Sequence, residues 1–303
     1  MSFPQDTQIG NWKLGKRLGH GSYGTVYIAK QLNPILKGKF VVKMIRNGRH
    51  DEDMEDPINE EIRILQAVSR LDSFPKFVED FDFQEHTCLV VSKEYADLLT
   101  LFKKNPDRCF TPLTIQKIAF QLFKNLEALH NIGILHRDIK MENICLRDTS
   151  GHAKVVLIDF GVAKKYRDEN GARIPPEEDK IYVMNKAIYS SRNVIQTNTH
   201  CEKDDLTQAC FVCAELRGLY WLIHDNNNAV NIGKKIQLEV NPERVFADRD
   251  QFLVPLFEAV AEQLDFDEPD YEGILNVIKH IVPDFVEARN WDWKWSNGMF
   301  TLV

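Results

Sequence analysis

The stretch HRDIKMEN, residues 136–143, sets a histidine, two acids, two cations and an asparagine directly behind an apolar run. Taken by itself it is a solvated charged loop, the ordinary place for such residues. The residues after it narrow the choice. NICLRD and HAKVVLIDF have the composition of two short strands joined by the turn-prone TSG. The second ends in VVLIDFG, so an acid, Asp159, stands at the end of an apolar strand sixteen residues past Asn143. A charged loop, a hairpin and a second acid in this order leave few folds open.

The rest of the chain has two textures. Up to about residue 95 it is strand-rich, in WKLGKRL, GTVYIAKQL, KFVVKMI and TCLVVS, with one helical stretch in DPINEEIRILQAVSRL. From about residue 111 it is helical. TPLTIQKIAFQLFKNLEALH carries Ile115, Ile118, Ala119, Leu122, Leu126 and Leu129 at three- and four-residue steps, one continuous apolar stripe, and Thr111-Pro112 forms a capped helix start. From Lys164 to about His200 periodicity is lost among prolines and charges, which predicts a long loop of the kind that carries function. At 303 residues with 44% hydrophobic content the chain exceeds what one core usually fills. The expectation is an α+β, bilobal molecule, with a β-rich lobe over 1–95 and a helical lobe over 96–303 making one domain.

The formal net charge of -7 offers no global basic field, so no nucleic-acid partner is expected. MSFPQDTQIGNWK lacks the plan of a signal peptide, and no apolar run reaches the ~20 residues of a membrane span. A cytoplasmic protein is expected, with the nucleus as the alternative, and a monomer. Cys210 and Cys213 form a C-x-x-C without a second pair, which favours two reduced thiols on the apolar side of a helix over a zinc or redox site.

LGHGSYGTVY holds Gly19, Gly21 and Gly24 in G-x-G-x-x-G spacing, flanked by Leu18 and Val26. Glycines let a backbone bring its N–H groups close to phosphate oxygens. A dinucleotide-binding turn would open into a helix, but TVYIAKQL is a strand, which selects a phosphate-covering hairpin. Lys43 then ends the β-branched KFVVK, and INEEIRILQAV supplies an acid on the next helix. Glu61 is the choice, with Glu60 separated from it only by helical register. Such a pair would hold the lysine against the α- and β-phosphates of ATP. A hydroxyl attacking a γ-phosphate needs a carboxylate to accept its proton, a cation and a metal ligand. Asp138, Lys140 and Asn143 supply them in the pattern H-R-D-x-x-x-x-N, with Asp159 as the main magnesium ligand and Asn143 as the second.

With these five motifs in order, the chain resembles the protein kinase superfamily over nearly its whole length. IDFGVAKKYRD is similar to the segment after the metal-binding aspartate in the casein kinase 1 family, KAIYSSRN to that family's T-A-R-Y-A-S-I-N, and DDLTQA to its D-D-L-E-S-L. LDFDEPDYEGILNVI and WDWKW resemble the tau-tubulin kinase branch. The resemblance implies ATP and Mg2+ as cofactors, protein Ser/Thr as substrate, Asp205 as buried anchor of the catalytic loop and Val91 as gatekeeper. It also implies Val41 as adenine roof, and Ser92 and Glu94 offering backbone groups to adenine.

The departures are Val41 for alanine, Met141 for proline, Asn185 and Lys186 for glycine and threonine, and Ile188 for arginine. Three of them cluster where substrate docks. An active Ser/Thr kinase therefore competes with a kinase-shaped ATP-binding scaffold, and more distantly with a small-molecule phosphotransferase. The five intact residues Lys43, Glu61, Asp138, Asn143 and Asp159 favour the kinase. The resemblance also implies constitutive activity, and between Asp168 and Met184 the only hydroxyl is that of Tyr182, which agrees with it.

Overall fold

The computed structural model describes residues 3–21, 24–47, 57–148, 153–176, 178, 189–220, 228–283, 293–296 and 299–302. The chain divides into two compact units, Met1–Tyr95 with Ile158–Ala163, and Ala96–Leu157 with Lys164–Val303. The segment carrying Asp159 thus clusters with the first unit, although it comes after residues 136–143 in sequence.

The first unit is a six-stranded sheet of β1 (Gln8–Ile9), β2 (Trp12–Gly21), β3 (Gly24–Gln31), β4 (Phe40–Arg46), β5 (Phe77–Phe83) and β6 (His86–Ser92), in the order β1-β2-β3-β4-β6-β5. Every pairing is antiparallel. Side chains alternate across the pleat, and one face buries Trp12, Leu14, Tyr27, Ala29, Val42, Met44, Cys88 and Val90 in a single core. The opposite parity puts Val26, Ile28, Val41, Lys43 and Val91 on the other face, all half-buried. Val26 stands opposite Lys43, and Ile28 opposite Val41, which faces Val91 in turn. Helix α1 (Pro57–Val68) buries Ile58, Ile64, Leu65 and Val68. FVEDFDF, not singled out in the sequence, is the edge strand β5. Its acids alternate with half-buried aromatics, and the edge tolerates a polar pattern that hides a strand.

The second unit is mainly helical. After β7 (Ala96–Asp97), α2 (Leu98–Lys104) starts at an Asp97 cap, and α3 (Pro112–Asn131) comes next. Thr111 Oγ1 accepts from Thr114 N at 3.2 Å, and Pro112 sits at the first turn, as the sequence predicts. The expected stripe from Ile115 to Leu129 is buried. β8 (Ile134–Leu135) leads into the charged loop 136–143, and β9 (Ile144–Asp148) and β10 (Ala153–Leu157) form the expected antiparallel pair. Two α3 side chains one turn apart hold that pair in place: Val155 N donates to Gln121 Oε1 and Asn125 Nδ2 donates to Val155 O, both at 2.9 Å.

The expected long loop after Lys164 is interrupted. β11 (Lys164–Lys165) pairs with β8, and α4 (Arg192–Thr197) begins at a Ser191 cap and ends at a left-handed Asn198. Six residues are too few for a period to show in sequence. Beyond it lie α5 (Glu202–Leu216), α6 (Asn228–Val240), α7 (Val254–Ala261) and α8 (Tyr271–His280), with α3 packed on α5 and α8. α5 is buried on all sides, Cys210 and Cys213 included. Burial pushes the Cys213 thiol up to about 12, which keeps it an inert hydrophobe. β12 (Trp293–Ser296) and β13 (Met299–Leu302) form an antiparallel pair. Among the described residues no helix is long and apolar enough to cross a membrane.

Candidate active site

In the first unit the glycine hairpin lies at the ends of β2 and β3, where Gly21 stands opposite Gly24. The three glycines differ in why they are glycine. Gly24 has φ +123°, and a Cβ there would lie 2.7 Å from the Met44 carbonyl oxygen, so the fold itself requires it. Gly19 and Gly21 would place a Cβ in open space, so packing does not require them. A backbone kept bare without an intramolecular reason fits one that a ligand approaches. Leu18 is 48% exposed, and Val26 and Val41 share the half-buried face with Lys43.

Lys43 Nζ donates to Glu61 Oε1 at 2.6 Å and to Asp159 Oδ1 at 2.8 Å. The choice left open by helical register falls to Glu61, on the same side of α1 as the buried Ile64 and Leu65. Glu60 lies instead 3.7 Å from Arg63. Burial opposes the lysine's charge, but the Asp159 and Glu61 carboxylates outweigh it and hold its pKa above the usual lysine value. Asp159 adopts φ +64°, a left-handed conformation uncommon outside glycine, and its Oδ1 also accepts from Gly161 N at 3.4 Å. Phe160, next to it, is buried against Phe74. Ser92 N donates to Lys76 O at 2.9 Å. Ser92 Oγ donates to Glu94 Oε1 at 3.0 Å.

In the second unit Asp138 Oδ2 accepts from Lys140 Nζ at 2.8 Å and from Asn143 Nδ2 at 2.9 Å. Asn143 Nδ2 also donates to Asp138 O at 2.8 Å. With its NH₂ engaged on Asp138, Asn143 turns its amide oxygen to the other side. That oxygen and the Asp159 carboxylate are hard oxygen donors, which suit magnesium. Among the described residues no group of three or more His, Cys, Asp or Glu is placed to hold a metal.

The backbone of the 136–143 loop is held from α5. Asp205 Oδ2 accepts from His136 N, and Oδ1 from Arg137 N, both at 2.7 Å, and His130 Nε2 lies 3.0 Å from Oδ2. Asp205 is therefore the buried anchor that the family resemblance implies. Burial alone would push its carboxyl up, but the bond and charge of His130 and the His136 N–H hold it below the usual range. Sequence reasoning found Asp205 but missed its partners. His130 lies within the apolar stripe of α3 and bonds Tyr271 of α8. Gln208, one turn beyond Asp205, bonds the loop as well. Neither has a local motif to mark it. Tyr182, Asn185, Lys186 and Ile188 lie outside the described residues.

A β-rich unit carrying a Lys–Glu–Asp chain and a helical unit carrying an Asp–Lys–Asn loop are the two lobes of a protein kinase fold. The chain belongs to the protein kinase family, whose domain matches residues 12–262. The serine/threonine-protein kinase spe-6 of Caenorhabditis elegans is 25% identical over 295 residues, covering 95% of this chain and 76% of that protein. Human dual specificity tyrosine-phosphorylation-regulated kinase 3 is 32% identical over 163 residues, 52% of this chain and 27% of that protein. The solved structure of vaccinia related kinase 3 has the same fold, with a TM-score of 0.74 at 17% identity, covering 92% of this chain and 90% of that one.

Proposed function

We propose that this chain is a serine/threonine protein kinase that uses ATP with Mg2+, belongs to the casein kinase 1 family near its tau-tubulin branch, and acts without prior phosphorylation. The observation that carries activity over a scaffold role is the assembled chain of Lys43 with Glu61 and Asp159. A charged lysine fixed by two carboxylates is arranged for phosphate, and a binding scaffold has no need to keep Glu61 for it.

ATP supplies the transferable phosphoryl group, and magnesium supplies positive charge to its oxygens. Asp159 and Asn143 would hold the metal, and the Gly19 and Gly21 backbone with Lys43 would hold the phosphates. Asp138 would orient the substrate hydroxyl and take its proton, while Lys140, bonded to the same carboxylate, places a cation beside the charge that develops. Protein substrates, a monomeric state and a cytoplasmic or nuclear location belong to the same proposal. Ile188 offers no anion donor where relatives carry arginine, so substrates primed by an upstream phosphate are expected to gain little.

The test is transfer of labelled phosphate from ATP-magnesium to Ser or Thr of an acidic protein, using enzyme made in bacteria with no upstream kinase. Transfer is expected from the wild type and not from Asp138→Asn, which should still bind nucleotide because the carboxylate is a proton acceptor and not an ATP contact. A wild type that binds ATP-magnesium but transfers no more than the variant would make the scaffold reading the right one. Asp159→Asn should instead weaken the magnesium dependence of nucleotide binding.

A further inference from the structure

We infer that Gln208 is a positioning residue for the catalytic carboxylate, its side-chain amide clamping the backbone on both sides of Asp138. This rests on the reading of Asp138 as the group that meets the substrate hydroxyl.

Gln208 Oε1 accepts from Ile139 N at 2.8 Å, and Gln208 Nε2 lies 3.4 Å from Arg137 O. The residues on either side of Asp138 are thus tied to one amide. Arg137 itself has φ +68°, a left-handed conformation that a large side chain rarely adopts and that surrounding structure must hold. Its N–H goes to Asp205 Oδ1 at 2.7 Å and its carbonyl faces Gln208 Nε2, so both ends of the strained residue are held from α5. Asp205 and Gln208 are three residues apart and share one face of that helix.

The two have complementary chemistry. A carboxylate accepts only, and Asp205 takes two N–H groups, from His136 and Arg137. An amide both accepts and donates, which is what an N–H on one side of Asp138 and a carbonyl on the other demand. The Ile139 N–H needs an oxygen, and this fixes which way the amide points. Gln208 is fully buried, so water does not serve in its place. In the D-D-L-E-S-L to which DDLTQA is similar, the corresponding residue is serine, whose single hydroxyl is too short to bridge the two groups.

Two variants test this. Gln208→Met keeps the length and removes both bonds. Gln208→Glu keeps the length and restores donor and acceptor only while its carboxyl is protonated. Ionised, it cannot donate to the Arg137 carbonyl, and it is repelled by that oxygen and by Asp205.

For Gln208→Met the expected result is a fall in kcat of about ten- to a hundred-fold, the usual cost of a small misplacement. KM for ATP should stay within about twofold, because the amide touches nothing that holds phosphate. Amide exchange over 136–143 should speed up. For Gln208→Glu, kcat relative to wild type should climb as pH falls, while for Gln208→Met that ratio should stay flat. The other titrating or charged groups around the site, Asp205, His130, His136, Arg137, Asp138 and Tyr271, are common to all three proteins and cancel in the ratio. An unchanged kcat and unchanged exchange over 136–143 in Gln208→Met would overturn the clamp, as would ratios for the two variants that run parallel with pH. Should Gln208→Met fail to fold, the pH-dependent ratio of Gln208→Glu decides alone. If the wild type transfers no phosphate, the kinase reading falls, and exchange over 136–143 still decides whether Gln208 holds the loop.

Discussion

Lys43 in the β-rich unit and Lys235 in the helical unit are both withdrawn from water, and burial opposes the charge of each. They end differently. Lys43 meets two carboxylates within 2.8 Å and its pKa rises. Lys235 is fully buried, its Nζ donates to the Ser190 carbonyl at 3.0 Å, and its pKa falls to about 8, since the pull of Glu239 does not outweigh burial. Burial pushes the Glu239 carboxyl itself up to about 7. The contrast teaches that the partner, not depth, decides whether a buried cation's pKa ends above or below its usual value. It extends to the site. The charges of the β-rich unit hold one another, whereas those of the catalytic loop sit on a backbone tied to Asp205 and Gln208 of α5. Removing a partner should therefore cost ligand affinity in the first unit and loop integrity in the second.

The largest effect expected is that of Asp205→Ala. It leaves two backbone N–H groups and His130 buried without their acceptor, a loss of about 3–5 kcal/mol, read as a lowered denaturation midpoint. The pKa direction adds a pH signature. A carboxyl depressed in the fold contributes stability above its unfolded pKa and loses it as pH falls through the folded one. The gap between wild type and variant should thus narrow only below about pH 4. A cost near zero at neutral pH would mean that α5 does not brace the loop.

Lys235→Met tests the opposite case. A lysine whose folded pKa is lowered to about 8 costs stability below that pH, and the cost fades as pH rises towards the ordinary lysine value near 10.5. The apolar variant escapes it. Relative to wild type it should be favoured by about 3 kcal/mol near pH 7, at about 1.4 kcal/mol per pH unit, less about 1 kcal/mol for the lost Ser190 bond. The net advantage, about 2 kcal/mol near pH 7, should vanish by about pH 10 and reverse above it. Paired melting curves from pH 7 to 10 check this, and a difference independent of pH would break the comparison with Lys43.

Glu61→Gln takes one of the two carboxylates from Lys43 and should cost about 1.5–3 kcal/mol of a charged hydrogen bond. Most of it should appear as weaker ATP binding in a titration, with little change in the unfolding midpoint, because Asp159 still holds the amine at 2.8 Å. A stability loss as large as that of Asp205→Ala would erase the distinction between the two units.

How far the sequence anticipates these devices depends on how local each one is. Asp138, Lys140 and Asn143 lie within six residues and can be read as a pattern. The glycine hairpin and Lys43 are legible because strand parity is simple: Val26, Val41 and Lys43 fall on one face by counting in twos. α4 is too short for a period, and β5 hides behind its acids at an edge. Gln208 and the Gln121–Asn125 pair leave no trace because what they hold is backbone, and every residue has the same backbone. Asp205 emerges only through likeness to relatives.

The smallest effect expected is the sharpest test of helical register. In sequence Glu61 is the choice and Glu60 its competitor, separated from it only by helical register. In the fold a helical step of about 100° separates their side chains. Glu61 meets Lys43 at 2.6 Å, while Glu60 lies 3.7 Å from Arg63, a partly exposed pair three residues on. Such surface pairs contribute about 0.2–0.5 kcal/mol and weaken in salt. Glu60→Gln should leave ATP affinity and transfer unchanged and lower stability by no more than that amount. The measurement is the same ATP titration used for Glu61→Gln, run side by side. Should Glu60→Gln be the variant that loses nucleotide while Glu61→Gln keeps it, α1 would have to turn by one residue when ATP binds, and the ion pair described for Lys43 would belong to a resting arrangement of this unit.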